Sequence, residues 1–205
     1  WARRLYPMQW RMAISWVAGY IVYQSAVPVA LYFEGAGAAG EIGFLVAISN
    51  ALVALLSGWS STKVPQFCSL VDQQRFSEAK RVHFSALARS LGVFFLAAVV
   101  LTTLFMYFHN TEHLNWITLM HVSCFLATAG CTVASVAQGM VLRAFLTEPF
   151  LLTSLLYGLA VLVLLPVTTS AHGLDGLCIV LFGGAVFNLA MTSVVFGTRR
   201  ELRGA

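Results

Sequence analysis

Residues 62–90 read TKVPQFCSLVDQQRFSEAKRVHFSALARS, a long polar interval in a chain that is elsewhere close to continuous apolar sequence. The interval holds Lys63, Arg75, Lys80, Arg81 and Arg89, five of the twelve Lys and Arg. Two apolar segments precede it and four follow. The side of a membrane on which it lies therefore decides the side of every other connection.

The membrane is inferred from composition. Of 205 residues, 59% are hydrophobic and 10% charged, too few polar groups to cover a soluble globule, and the mean hydropathy is +0.82. A crossing helix needs about 20 mainly apolar residues. Six stretches meet that rule: 12–33, 42–61, 87–108, 116–141, 150–167 and 174–196. The expected fold class is all-α, a polytopic membrane protein with six transmembrane helices in one bundle spanning 1–205 and a cytoplasmic basic loop over 62–86. Pro28, inside the first stretch, is expected to kink it near residues 24–28 by removing a backbone bond. Within the polar loop, Ala79, Val82, Phe84, Leu87 and Leu91 recur at helical spacing with Lys80, Arg81 and Arg89 around them. An interfacial helix and a solvated charged loop both fit that pattern.

With the long loop inside, all twelve Lys and Arg lie on the cytoplasmic side together with Asp72, Glu78, Glu148 and Glu201. Glu34, Glu41, Glu112 and Asp175 fall outside. Such segregation is what the positive-inside rule predicts for six spans with both termini in the cytoplasm. The basic balance then reports topology and contact with anionic lipid, with no nucleic-acid partner. Cys68, Cys124, Cys131 and Cys178 form no CxxC pair and read as small buried hydrophobes. The start at Trp1 lacks the order of a secretory signal and reads as part of something longer.

WRMAISWVAGYIVYQSAVPVALYF, then GAGAAGEIGFLVAISNALVALLSGWSSTKVPQF, then a basic loop with SEAKR, resembles one six-helix half of a polysaccharide or lipid-linked oligosaccharide flippase of the multidrug/oligosaccharidyl-lipid/polysaccharide exporter superfamily. Lys63, Pro65 and Phe67 match the K-x-P-x-F-like start of that family's second loop. The resemblance covers essentially the whole chain and favours the C-terminal half. It implies a multi-pass protein of the bacterial inner membrane that moves a polyprenyl-pyrophosphate-linked glycan by alternating access, completed by a second six-helix half on the same chain or a partner. Complete members have about twelve or more spans. A drug or metabolite exporter of the same superfamily is the nearest rival, and a membrane-embedded glycan-assembly enzyme or a non-transporting scaffold stands in another class.

The chain has no GxSxG, HExxH or P-loop and no paired intramembrane carboxylates, so no enzyme and no cofactor is expected, and a coupling ion stays unassigned. His109 and His113, four apart beside Glu112, read as solvated polar residues ahead of metal ligands. Polar groups at membrane depth are costly and mark the candidates. Gln24, Asn50, Gln138 and Asn188 each sit inside a span, either making an interhelical hydrogen bond of about 1 kcal/mol or lining a substrate cavity. Arg11, Lys63 and Arg143 stand at cytoplasmic helix ends, snorkelling to the interface or receiving a pyrophosphate through charge-assisted bonds. Pro28 is either a hinge for alternating access or a static kink.

Overall fold

Long runs of Ala, Leu, Val and Phe leave the backbone one local way to satisfy its amides in hydrocarbon, the helix. The computed structural model describes residues 2–111, 118–143 and 150–198, and among them every regular element is an α-helix. In order these are α1 (Ala2–Gln24), α2 (Ala26–Asp72), α3 (Phe76–Thr111), α4 (Leu119–Arg143) and α5 (Leu151–Thr198). Glu112, His113 and Glu148 lie outside the described residues.

Four helical stretches are long and apolar enough to cross a membrane: Gln9–Asp72, Phe76–Phe108, Leu119–Arg143 and Leu151–Thr198. The expected count was six separate stretches. Two of the connections read as loops carry helical backbone almost to a single residue, Gly35 (φ 87°, ψ −177°) in α2 and Gly173 (φ 60°, ψ −144°) in α5. Both dihedral pairs are open to glycine and strained for other residues. Each is a point of reversal. A Cβ on Gly43 would lie 3.7 Å from Val27 Cγ2, although sixteen residues of straight helix would separate the two by about 24 Å. Gly184 likewise abuts the Tyr157 ring, about 40 Å away along an unbroken helix. Replacing Gly173 with Ala is expected to cost about 1–2 kcal/mol from backbone strain, with the new Cβ 3.1 Å from Glu34 Oε1. Gly35→Ala meets nothing within 4 Å. Denaturant titration in micelles should therefore rank Gly173→Ala as the more damaging of the two.

The junction of α1 and α2 falls at Ser25, three residues before Pro28. Proline has no N–H to offer the Gln24 carbonyl. Ser25 keeps helical dihedrals (φ −73°, ψ −20°), and the flanking bonds Ser25 N–H to Ile21 O (2.9 Å) and Val29 N–H to Ser25 O (3.1 Å) are intact. The chain is interrupted there without being unwound.

The basic interval 62–86 is mostly helical where a loop was expected. Helix α2 runs through Pro65 to Asp72, and α3 begins at Phe76 and continues without a break into the third apolar stretch. Between them Gln74 takes φ 59°, Arg75 N–H bonds Leu70 O and Gln74 N–H bonds Val71 O, both at 2.9 Å. That is a Schellman stop, built on glutamine in place of the usual glycine. Arg75 and Glu78 form an exposed ion pair across the start of α3, a contact of small energetic value.

Helix α4 sits at the centre, with half of its apolar stretch buried against 6% for α3. Val122, Phe125, Leu126, Ala129 and Val133 of α4 join Ile42, Leu56, Val161, Leu165 and Leu177 in the main core. Helix α3 instead turns Phe95, Leu96, Val99 and Val100 outward. Two bonds fix the direction of α4 against the second limb of α5. His121 meets Asp175 and Gln138 meets Ser193, at sequence separations of 54 and 55. A constant offset means the two helices run parallel.

Candidate functional site

Polar side chains gather at three levels. The first is the end marked by Gly173. Reversal there puts Asp175 in the opening turn of the second limb of α5, where a carboxylate suits the positive end of the helix dipole. His121 lies just inside α4, 3% exposed. Its Nδ1 is 3.0 Å from the Thr118 backbone nitrogen and 3.2 Å from Thr118 Oγ1, and its Nε2 is 2.9 Å from Asp175 Oδ1. A backbone N–H only donates, so Nδ1 accepts and Nε2–H donates to the carboxylate. The histidine thus occupies the place of the Glu in a capping box, reaching back to the residue before the helix. Glu34 stands close by against Gly173.

At mid-depth the Tyr23 and Thr132 hydroxyls are hydrogen-bonded, joining α1 to α4. Tyr157 lies against Gly184 where the limbs of α5 meet. One helix turn and a half beyond Thr132, Gln138 exchanges hydrogen bonds with Ser193, donating at 3.2 Å and accepting at 3.3 Å. Each interhelical bond of this kind contributes about 1 kcal/mol.

The third level is the basic end. Ser60, Lys63, Val64 and Phe67 of α2, Val82, His83 and Ala86 of α3, and Ala137, Met140 and Val141 of α4 enclose a slot of about 20 Å³, room for a single water. Ser90 Oγ donates to Leu56 O at 3.2 Å just above it, clamping α3 to α2 in antiparallel register. His83 is buried, its ring 5.3 Å from that of Phe196 near the end of α5.

The residues singled out from sequence are distributed across these levels. Lys63 lines the slot and is half-buried. Arg143 is half-buried at the end of α4, two residues past Val141. Arg11 is exposed on α1 with its guanidinium 5.9 Å from the Trp10 ring centroid. Gln24 and Pro28 are exposed, whereas Asn50 and Asn188 are half-buried. Gln138 is engaged by Ser193, in keeping with the hydrogen-bonding reading of that residue. A larger groove of about 250 Å³ runs between α1 and α5, lined by Ala13, Val17, Ala18, Leu155 and Gly158 among others, and takes none of them. Cys178 is buried and Cys68, Cys124 and Cys131 are half-buried, all four as free thiols.

Sequence reading missed the His121–Asp175 pair. A signal was present: both residues fall at the starts of spans expected to begin on the same side, hence at one depth. No protein-family model, curated protein or solved structure matches this chain.

Proposed function

We propose that the chain is one six-helix half of a bacterial inner-membrane flippase that moves a polyprenyl-pyrophosphate-linked oligosaccharide by alternating access. Dividing the stretches Gln9–Asp72 and Leu151–Thr198 at Gly35 and Gly173 turns four stretches into six crossings, and in this reading both termini fall at the basic, cytoplasmic end. The observation that carries this reading is the separation of charge along α4. Val141 beside the Lys63 slot lies twenty residues from His121, about 30 Å at 1.5 Å per residue, the thickness of a bilayer's hydrocarbon core. Lys63, Arg75, Lys80, Arg81 and Arg143, with the carboxylates Asp72 and Glu78 among them, belong to one end, which stays net basic, and Glu34 and Asp175 to the other.

In this mechanism Arg11, Lys63 and Arg143 receive the pyrophosphate at the cytoplasmic mouth, where guanidinium and ammonium groups make charge-assisted bonds to phosphate oxygens. The lipid tail stays in the bilayer beside the outward faces of α3 and α5. A second six-helix half, on the same chain or a partner, closes the cavity against α1 and α2. Gln24 and Asn50 face that cavity, with Asn188 further in, Gln138 holds α4 to α5 through Ser193, and Pro28 serves as the hinge. Lys63→Gln and Arg143→Gln should each reduce surface glycan export at least tenfold with the protein still present in the membrane at its normal level. Unchanged export in both variants would sink the assignment of those two residues.

A further inference from the structure

We propose that the slot between α2, α3 and α4 at the basic end holds one small monovalent anion of chloride size, bound by the Lys63 ammonium, the Ser60 hydroxyl and a ring N–H of His83. The register of α2 and α3 brings these groups together. Ser90 Oγ bonds Leu56 O between the two antiparallel helices. Seven residues from each, about two turns toward the basic end, stand Lys63 and His83. Ser60 lies one turn from Leu56 on the same face. Ala137, Met140 and Val141 of α4 close the remaining side.

All three groups lack a protein partner. His83 is 5% exposed with its ring against Phe84 and Phe196, and among the described residues neither ring nitrogen has a hydrogen-bond partner. Ser60 is 8% exposed, and its hydroxyl has none there either. Lys63, half-buried, forms no ion pair among the described residues. Buried polar groups are normally satisfied, and a slot of about 20 Å³ leaves room for a single occupant to do so.

Charge decides between water and an anion. No carboxylate of the described residues lines the slot. Asp72 is exposed nine residues past Lys63, on the opposite side of α2, and Glu78 is paired with Arg75. Water would leave the half-buried ammonium without a counter-charge, whereas each of the three groups can donate to an anion. The apolar walls strip hydration from whatever enters, which suits a weakly hydrated halide. Phosphate, with four oxygens, is larger than the slot and meets Lys63 only from outside. The halide site is therefore separate from the pyrophosphate contact proposed above.

The test uses the full chain in uncharged detergent micelles and does not depend on transport. Sodium gluconate is exchanged for sodium chloride at a constant ionic strength of about 0.15 M, and thermal unfolding is followed in each salt. Gluconate is too large to enter, so chloride should raise the unfolding midpoint by about 2–4 °C. The quantity read for every variant is its own difference between the two salts, so a less stable variant still reports. Lys63→Met should abolish the difference, and His83→Phe and Ser60→Ala should each reduce it. Lys80→Gln removes a nearby cation that does not line the slot and should keep it in full. An equal midpoint in both salts would mean that water alone fills the slot and would overturn the proposal. An unchanged difference in Lys63→Met, its loss in Lys80→Gln, or the same rise with sodium phosphate would each do so as well, by tracing the effect to the basic surface.

Discussion

Gly176→Ala is expected to remove about 3 kcal/mol or more of stability, the upper end of what overpacking costs. A Cβ at this position would stand 2.3 Å from the Thr168 carbonyl oxygen, 2.8 Å from its carbon and 3.2 Å from His172 Cβ. The first two are backbone atoms of the preceding limb of α5, so no rotamer change can clear them. The limb ending near Thr168 and the limb carrying Gly176 would have to move apart, and the His121–Asp175 bond would open with them. Denaturant unfolding of the purified chain in micelles measures this directly. A midpoint matching that of the natural protein would show that the reversal at Gly173 is looser than the contact distances say.

The second large effect is expected at Gly184. Its Cβ would fall 2.1 Å from Tyr157 Cε2, 2.9 Å from Cζ and 3.0 Å from the hydroxyl. Here the obstacle is a side chain, which makes the cost recoverable. Gly184→Ala alone should destabilise the bundle by about 2–3 kcal/mol. Combined with Tyr157→Leu, which withdraws the ring, the double variant should lose at least about 1 kcal/mol less than the two single losses together, as neighbouring sites that share a contact do. Additive losses would mean that Tyr157 and Gly184 do not meet.

Several features of the fold were legible without coordinates. Composition alone demanded helices in a membrane, and helices long and apolar enough to cross one are present. The apolar spacing of Ala79, Val82, Phe84, Leu87 and Leu91 reads as helical, and α3 includes all five, although Phe84 is exposed and does not share the buried side of Ala79. The expected interruption near residues 24–28 coincides with the α1–α2 junction, because a missing amide is a local property of Pro28. The second apolar segment, expected over 42–61 with loop to follow, continues as helix through Lys63 and Pro65. A proline on the exposed side of α2 frees one carbonyl and leaves the rest of the ladder in place, so the helix continues to Asp72.

The polar candidates divide in the same way. That Gln138 and Asn188 lie within apolar helix was plain from the sequence, but Ser193 as the partner of Gln138 was not, since the bond depends on two helices 55 residues apart running parallel at a set offset. His121 was visible near the start of a span and Asp175 in a tail between spans, yet their pairing needed the chain to turn at Gly173.

What this sequence determined by itself is solvent and period: which segments leave water, that they do so as helices, and how charge is sorted along the chain. These follow from local quantities, hydropathy over a window of about 20 residues and the backbone's need for internal hydrogen bonds. Where the helices turn, which pairs run parallel and which buried polar groups meet were decided by the tertiary structure. In these cases single glycines at 35 and 173 reverse the chain and close packing at Gly176 and Gly184 sets the offsets, and contacts between distant segments carry no periodic trace in the segments that make them.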